Sequence, residues 1–174
     1  MDSVVLRSRR TSLAVVGVAA LVLAADQVSK SAVVAANPHG TGSGLISFRL
    51  VRNTGASFGI GAGHPLAITV MAAVILAVAV ALLLRTSSRA VAFALAVVAG
   101  GAAGNLADRL FRGPGPGQGA VVDWIHVAFY PPTFNLADLA IRIGAVIAVI
   151  AALAAAPRRH TTGLISRTRH ETRQ

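Results

Sequence analysis

Asp123 and Asp138 are the side chains of this sequence best suited, by type and setting, to do chemistry. They stand fifteen residues apart with Pro131-Pro132 between them, and an apolar run of about 20 residues begins at Leu136. Two carboxylates brought within a few Å cannot both ionise easily, so they share a proton and titrate as a pair. The ionised member can then take a proton from water while the protonated member donates to a developing oxyanion and to a leaving amine, which is aspartic-protease chemistry. The connection between them is long enough to fold back on itself. Carboxylates at a membrane also serve as proton or ion relays, so a small ion-coupled carrier is the competing use. Metal-assisted hydrolysis has little support, because His39, His64 and His126 are widely spaced and no His-x-x-x-His pattern occurs.

The acids are scarce. The chain has six, Asp2, Asp26, Asp108, Asp123, Asp138 and Glu171, and four of them lie in or beside hydrophobic segments. An ionisable group in or at the edge of a bilayer costs several kcal/mol unless it is paired or wetted, which makes such a group a functional candidate. Asp26 and Lys30 are spaced i to i+4, so on a helix they share a face, either as a tether at the outer interface or as part of the site. Asn105, Asp108 and Arg109 share a helical face by the same rule, either as a capped aqueous helix end or as a trio aimed at the bundle interior, and the second reading is favoured because nothing else in that span is polar. Asn53 and Gly55 suggest a tight turn, either a simple hairpin turn or one in which the backbone approaches something closely.

These residues need a frame, and composition says which kind. At 174 residues with 55% hydrophobic and 13% charged side chains, and a mean hydropathy of +0.69, the chain belongs to the membrane class. A formal charge of +10 would suggest nucleic acid in a soluble protein. Here ten of the sixteen basic residues, Arg7, Arg9, Arg10, Arg85, Arg89, Arg158, Arg159, Arg167, Arg169 and Arg173, fall on one side of a four-span arrangement. That asymmetry puts both termini in the cytoplasm and excludes a nucleic-acid patch. With no cysteine there is neither disulfide nor thiolate chemistry.

The expected fold is an all-α membrane protein, a four-helix transmembrane bundle with a small extracytoplasmic β-element between the first and second spans. Residues 1–156 form a single integral membrane domain with spans at about 11–34, 66–84, 90–108 and 136–156, followed by a basic, disordered cytoplasmic tail, 157–174. The first span continues through Asp26 to Val34 without a break, so it is read as retained rather than cleaved as a leader. Ile46, Phe48 and Leu50 alternate with polar residues and place the β-element at about 44–60. Gly100 to Gly104 would let a neighbouring helix come close. Arg112 to Gly119 is a Gly/Pro-rich loop, Val121-Val122 an extended segment, Trp124, Phe129 and Tyr130 an interfacial aromatic belt, and Pro131-Pro132 a turn. Arg142, at i+4 from Asp138, either pairs with that acid or snorkels to the interface.

Taken in order, Asp26-Gln27-Val28-Ser29-Lys30, Asn53-Thr54-Gly55-Ala56-Ser57-Phe58, Gly104-Asn105-Leu106-Ala107-Asp108-Arg109, Val121-Val122-Asp123-Trp124 and Phe134-Asn135-Leu136-Ala137-Asp138 resemble the signature of the lipoprotein signal peptidases, or signal peptidase II. The resemblance spans residues 11 to 156. It implies a bacterial plasma-membrane aspartic endopeptidase, needing no cofactor or metal, that removes the signal peptide from diacylglyceryl-modified prolipoproteins just before the lipidated cysteine. By that resemblance Asp123 and Asp138 are the catalytic pair, Asn53, Gly55, Asn105, Arg109 and Asn135 line the substrate site, and Asp26, Lys30 and Asp108 support it. Its partners would be the lipidated precursors and the bilayer, the working unit a monomer and the site at the outer boundary. The 112–119 loop and Arg142 depart from the family pattern, and an Asp138–Arg142 pair would bias which acid of the dyad is protonated. An assembly factor without chemistry is the third reading.

Overall fold

The computed structural model describes residues 2–42, 44–56, 61 and 63–155, the first nine of them by backbone alone. Four helices are long and apolar enough to cross a membrane: α1 (Asp2–Ala36, apolar from Thr11), α2 (Pro65–Arg85), α3 (Arg89–Phe111) and α4 (Leu136–Ala155). Their ends follow local chemistry. Pro65 opens α2 where a helix has no use for the missing N–H, and Ser88 caps α3 by accepting from the Val91 amide at 3.5 Å. The expected tail after residue 156, and Ser57 and Phe58 of the second motif, lie outside the described residues.

The central helix is α3. It packs against α1, α2 and α4, and half of its apolar window is buried against 11% for each of the others. Small residues make this possible. A Cβ at Gly101 would come 2.6 Å from the Ala137 carbonyl of α4, and one at Gly104 would collide with the Asp26 carboxylate of α1. In a bilayer, where lipid tails are as apolar as leucine, such close backbone approach is a main source of helix association.

The β-element is larger than expected and comes from two loops rather than one. β1 (His39–Thr41) and β2 (Ile46–Asn53) precede α2, β3 (Val121–Val127) and β4 (Tyr130–Phe134) precede α4, and they form one antiparallel sheet in the order β1-β2-β3-β4. In the β2–β3 register Val51 faces Asp123 and Asn53 faces Val121. Pro131-Pro132 is not a turn but lies within β4. That strand is at the sheet edge, where the absent N–H groups break no ladder. The reversal falls instead at Ala128-Phe129, and the β3–β4 hairpin pairs Ile125 with Phe134. The chain thereby returns to Asp123 as α4 begins.

The 112–119 loop is fastened to the bundle. The Thr69 hydroxyl donates to the Gly117 carbonyl at 2.6 Å, and the Gly119 amide to the Arg109 carbonyl at 2.9 Å.

Candidate active site

Asp123 comes from the middle of β3 and Asp138 from the first turn of α4. Asn135 joins them. Its side-chain amide donates to Asp123 Oδ1 at 2.6 Å, its backbone N–H to Asp138 Oδ2 at 3.3 Å, and its Oδ1 accepts the Asp138 amide at 2.9 Å. Two more asparagines complete the carboxylate shells. Asn53 donates to Asp123 Oδ2 and Asn105 to Asp138 Oδ1, each at 2.9 Å. Asn53 also folds its own turn, its Oδ1 accepting the Gly55 amide at 3.0 Å.

The two acids differ in setting. Asp123 is 2% exposed, and burial, reinforced by the nearby charge of Asp138, pushes its carboxyl up to about 7. Asp138 is half-buried in the first turn of α4.

Behind the pair lies a buried ion cluster. The Lys30 ammonium has three N–H donors, and three acceptors meet it: Asp26 Oδ2 at 2.8 Å, Asp108 Oδ2 at 2.9 Å and Asn105 Oδ1 at 2.9 Å. Lys30, Asp26 and Asp108 are each 0% exposed, so the alternative of an interfacial tether for Asp26 and Lys30 does not describe them. The cluster also grips backbone. Asp26 Oδ1 accepts the Ala137 amide in the first turn of α4, and Asp108 Oδ2 accepts the Val122 amide beside Asp123, both at 3.0 Å. Because Lys30 holds Asn105 Oδ1, the Asn105 amide group is left pointing at Asp138.

Arg109 is 4% exposed and gives its guanidinium to the chain itself, donating to the Gly55 carbonyl at 2.6 Å and the Thr54 carbonyl at 3.5 Å. It fixes the loop after β2 while still bordering a cavity of about 240 Å³. Asp123, Asp138, Asn53, Gly55 and Asn105 line the same cavity, so seven of the expected site residues, Arg109 and the neighbouring Asn135 included, converge on one place. Its other wall is apolar, with Ile68, Met71 and Ile75 from α2 facing Ile141 from α4 across Ala102 of α3.

Two residues of the cluster escaped the sequence reading. Gln27 donates to Asp108 Oδ1 at 3.1 Å and to the Gly104 carbonyl at 3.0 Å, and Arg112 donates to Asp108 Oδ1 at 2.7 Å. Arg112 opens the Gly/Pro-rich stretch, yet it caps the C-terminus of α3 and stands i+4 from Asp108, the same spacing as Asp26 and Lys30. Arg142 makes no ion pair with Asp138. Its guanidinium lies over the rings of Tyr130 and Phe134. Trp124, expected in an interfacial belt, packs on Phe48 with ring centroids 5.6 Å apart.

A model of the Signal peptidase (SPase) II family matches residues 18–154. The lipoprotein signal peptidase of Streptomyces griseus is 40% identical over 148 residues, covering 83% of this chain and 75% of that protein. The one from Mycobacterium tuberculosis strain H37Rv is 38% identical over 137 residues, covering 76% and 67%. Two solved structures of bacterial membrane enzymes share the fold. One has a TM-score of 0.72 at 24% identity over 87% of this chain and 94% of that one; the other has 0.68 at 26% identity over 82% and 94%.

Proposed function

Because the chain belongs to the signal peptidase II family, we propose that Asp123 and Asp138 are its catalytic pair and that it is an aspartic endopeptidase. It is a multi-pass bacterial membrane protease that cleaves the signal peptides of prolipoproteins. The single observation that carries the assignment of the pair is the network in which Asn135 and Asn105 hold both carboxylates at one cavity.

In the mechanism this supports, Asp138 is ionised and Asp123 holds a proton. Asp138 takes a proton from water as the water oxygen bonds to the scissile carbonyl carbon, and Asp123 gives its proton to the carbonyl oxygen. The resulting gem-diol collapses. The C–N bond breaks, Asp138 passes its proton to the leaving nitrogen, and a diol hydroxyl returns a proton to Asp123. No metal or cofactor enters this sequence.

Cleavage falls before the lipidated cysteine, at the outer membrane boundary, with both termini in the cytoplasm. The lining of the cavity supports a site at the membrane boundary, since its polar end belongs to the sheet and helix ends while its apolar wall runs along α2 and α4, and the distribution of arginines supports the orientation of the termini. Acyl chains would stay against that wall and in lipid while water reaches the acids. The carrier reading has no comparable support, because along α2 the buried residues are only Thr69 and Ala79.

The test compares a diacylglyceryl-modified precursor with the identical unlipidated one at equal enzyme in the same bilayer. Each acyl CH₂ contributes about 0.8 kcal/mol of membrane affinity, and the cavity beside Asn53 and Asn105 adds selection. The lipidated precursor is cut and the unlipidated one is not; equal rates would remove the lipid requirement.

A further inference from the structure

Arg142 is absorbed neither by the dyad nor by the ion cluster, yet it lines the same cavity as Asp123 and Asp138. Its guanidinium carbon lies 5.6 Å from the Tyr130 ring centroid and 5.8 Å from that of Phe134, two rings that meet edge-on. Helical side chains lean toward the helix N-terminus, so a residue in the second turn of an apolar span reaches back to the end where β4 supplies those rings. Ring faces attract the cation without engaging its N–H donors, which lie in the guanidinium plane. Among the described residues Arg142 makes no hydrogen bond or ion pair. Its side chain is exposed.

The balance of charge around the cavity points the same way. Two guanidinium groups, Arg109 and Arg142, border it together with two carboxylates, and a dyad that shares one proton carries a single negative charge. Arg109 is taken up by the carbonyls of Thr54 and Gly55. Arg142 is not taken up, and its flat fork of donors matches a planar oxyanion in bidentate fashion.

We propose that Arg142 is a specificity-determining residue that receives a carboxylate side chain of the substrate peptide close to the scissile bond. The proposal rests on the peptidase reading above. A phospholipid phosphate has related chemistry, but a peptide positioned for attack at the dyad must enter the cavity that Arg142 lines, whereas a bulk lipid headgroup need not.

The experiment uses diacylglyceryl-modified precursors that differ only in carrying Asp or Asn at one of the three positions before the scissile bond or one of the three that follow the lipidated cysteine, the cysteine itself being kept. With the full-length enzyme in phosphatidylcholine vesicles, one position shows kcat/KM about tenfold higher for Asp than for Asn, chiefly through KM, a factor equivalent to about 1.4 kcal/mol. In Arg142→Gln that ratio falls to about one. In Arg142→Glu it inverts, and a Lys substrate at that position becomes preferred over Asp. The charge-swap readout distinguishes recognition from a merely structural role. An Asp/Asn ratio that is the same in wild type and Arg142→Gln at every position overturns the proposal. So does a ratio of one throughout combined with an Arg142-dependent response to added phosphatidylglycerol, which would assign the cation to lipid phosphate. Wild-type turnover of the Asn substrate separates this test from that of the peptidase reading. Cleavage of no lipidated precursor at all would overturn that reading, and this proposal with it.

Discussion

Asn135 and Asp138 cap one another: the Asn135 side chain accepts the Asp138 amide at 2.9 Å, and the Asp138 carboxylate accepts the Asn135 amide at 3.3 Å. This is the reciprocal geometry of a capping box, with a proposed catalytic acid as its third helical residue. The same asparagine donates to Asp123 at 2.6 Å. One side chain therefore starts α4 and holds both acids in register.

That dual role can be split. Asn135→Ala loses the cap, worth about 1 kcal/mol, together with the donor to Asp123. Asn135→Ser keeps a good capping hydroxyl that is too short to reach Asp123. Serine is expected to recover most of the melting temperature lost in alanine while both variants stay slower than wild type by on the order of a hundredfold, the scale of a small misplacement in an active site. Thermal unfolding in detergent and cleavage rates, measured together, check the split.

Asp123→Asn and Asp138→Asn each keep the shape of the carboxylate but remove its titration. Each variant is expected to insert and fold and to lose cleavage by at least about a thousandfold, since both proton transfers fail. A gel assay of a lipidated precursor, with unfolding curves as the control, measures this. Substantial turnover by either variant would sink the assignment of the pair.

The pH profile should reflect Asp123. Its carboxyl, raised to about 7 by burial, holds the proton that the mechanism needs below that pH and loses it as pH rises through 7. On the alkaline side kcat/KM is expected to fall about tenfold per pH unit, with a midpoint near the free enzyme's value. The sign for stability is the same. The folded protein keeps a proton that the unfolded chain releases above the ordinary 3.8, so this group's contribution declines as pH climbs from about 4 to 7.

Lys30→Met should be far more damaging than Arg112→Gln. Removing Lys30 leaves Asp26 and Asp108 buried with their shared cation gone, at a cost of about 3–5 kcal/mol. Arg112 also pairs with Asp108, but its side chain is 21% exposed, so its loss is expected to cost about 1 kcal/mol or less. Denaturant unfolding of the two variants ranks them. Equal effects would mean that Lys30 is not the centre of the cluster.

The helices and the polar residues were legible in the sequence because both signals are local. A 20-residue apolar run declares a span, and i to i+4 spacing put Asp26 with Lys30 and Asn105 with Arg109. What was not legible depends on pairing between distant segments. The Asn53–Asp123 bond joins residues 70 apart through the β2–β3 ladder, and no periodicity within either strand announces its partner. Pro131-Pro132 looked like a turn because proline usually marks one, and only the position of β4 at the sheet edge permits it in a strand. Arg142 was ambiguous because the rings that hold it, Tyr130 and Phe134, come from a strand that the sequence did not reveal.

The cluster of Asp26, Lys30, Asp108 and Arg112 holds two carboxylates and two cations and sums to zero. An energised membrane does about 2.3 kcal/mol of work on each elementary charge moved through 100 mV. On this knot the pulls on opposite signs cancel. A displacement of the scaffold behind the dyad as one body therefore moves no net charge through the field. An ion carrier built from the same acids would need a charge that moves along the field. Equal cleavage rates in vesicles with and without an imposed potential would register that difference.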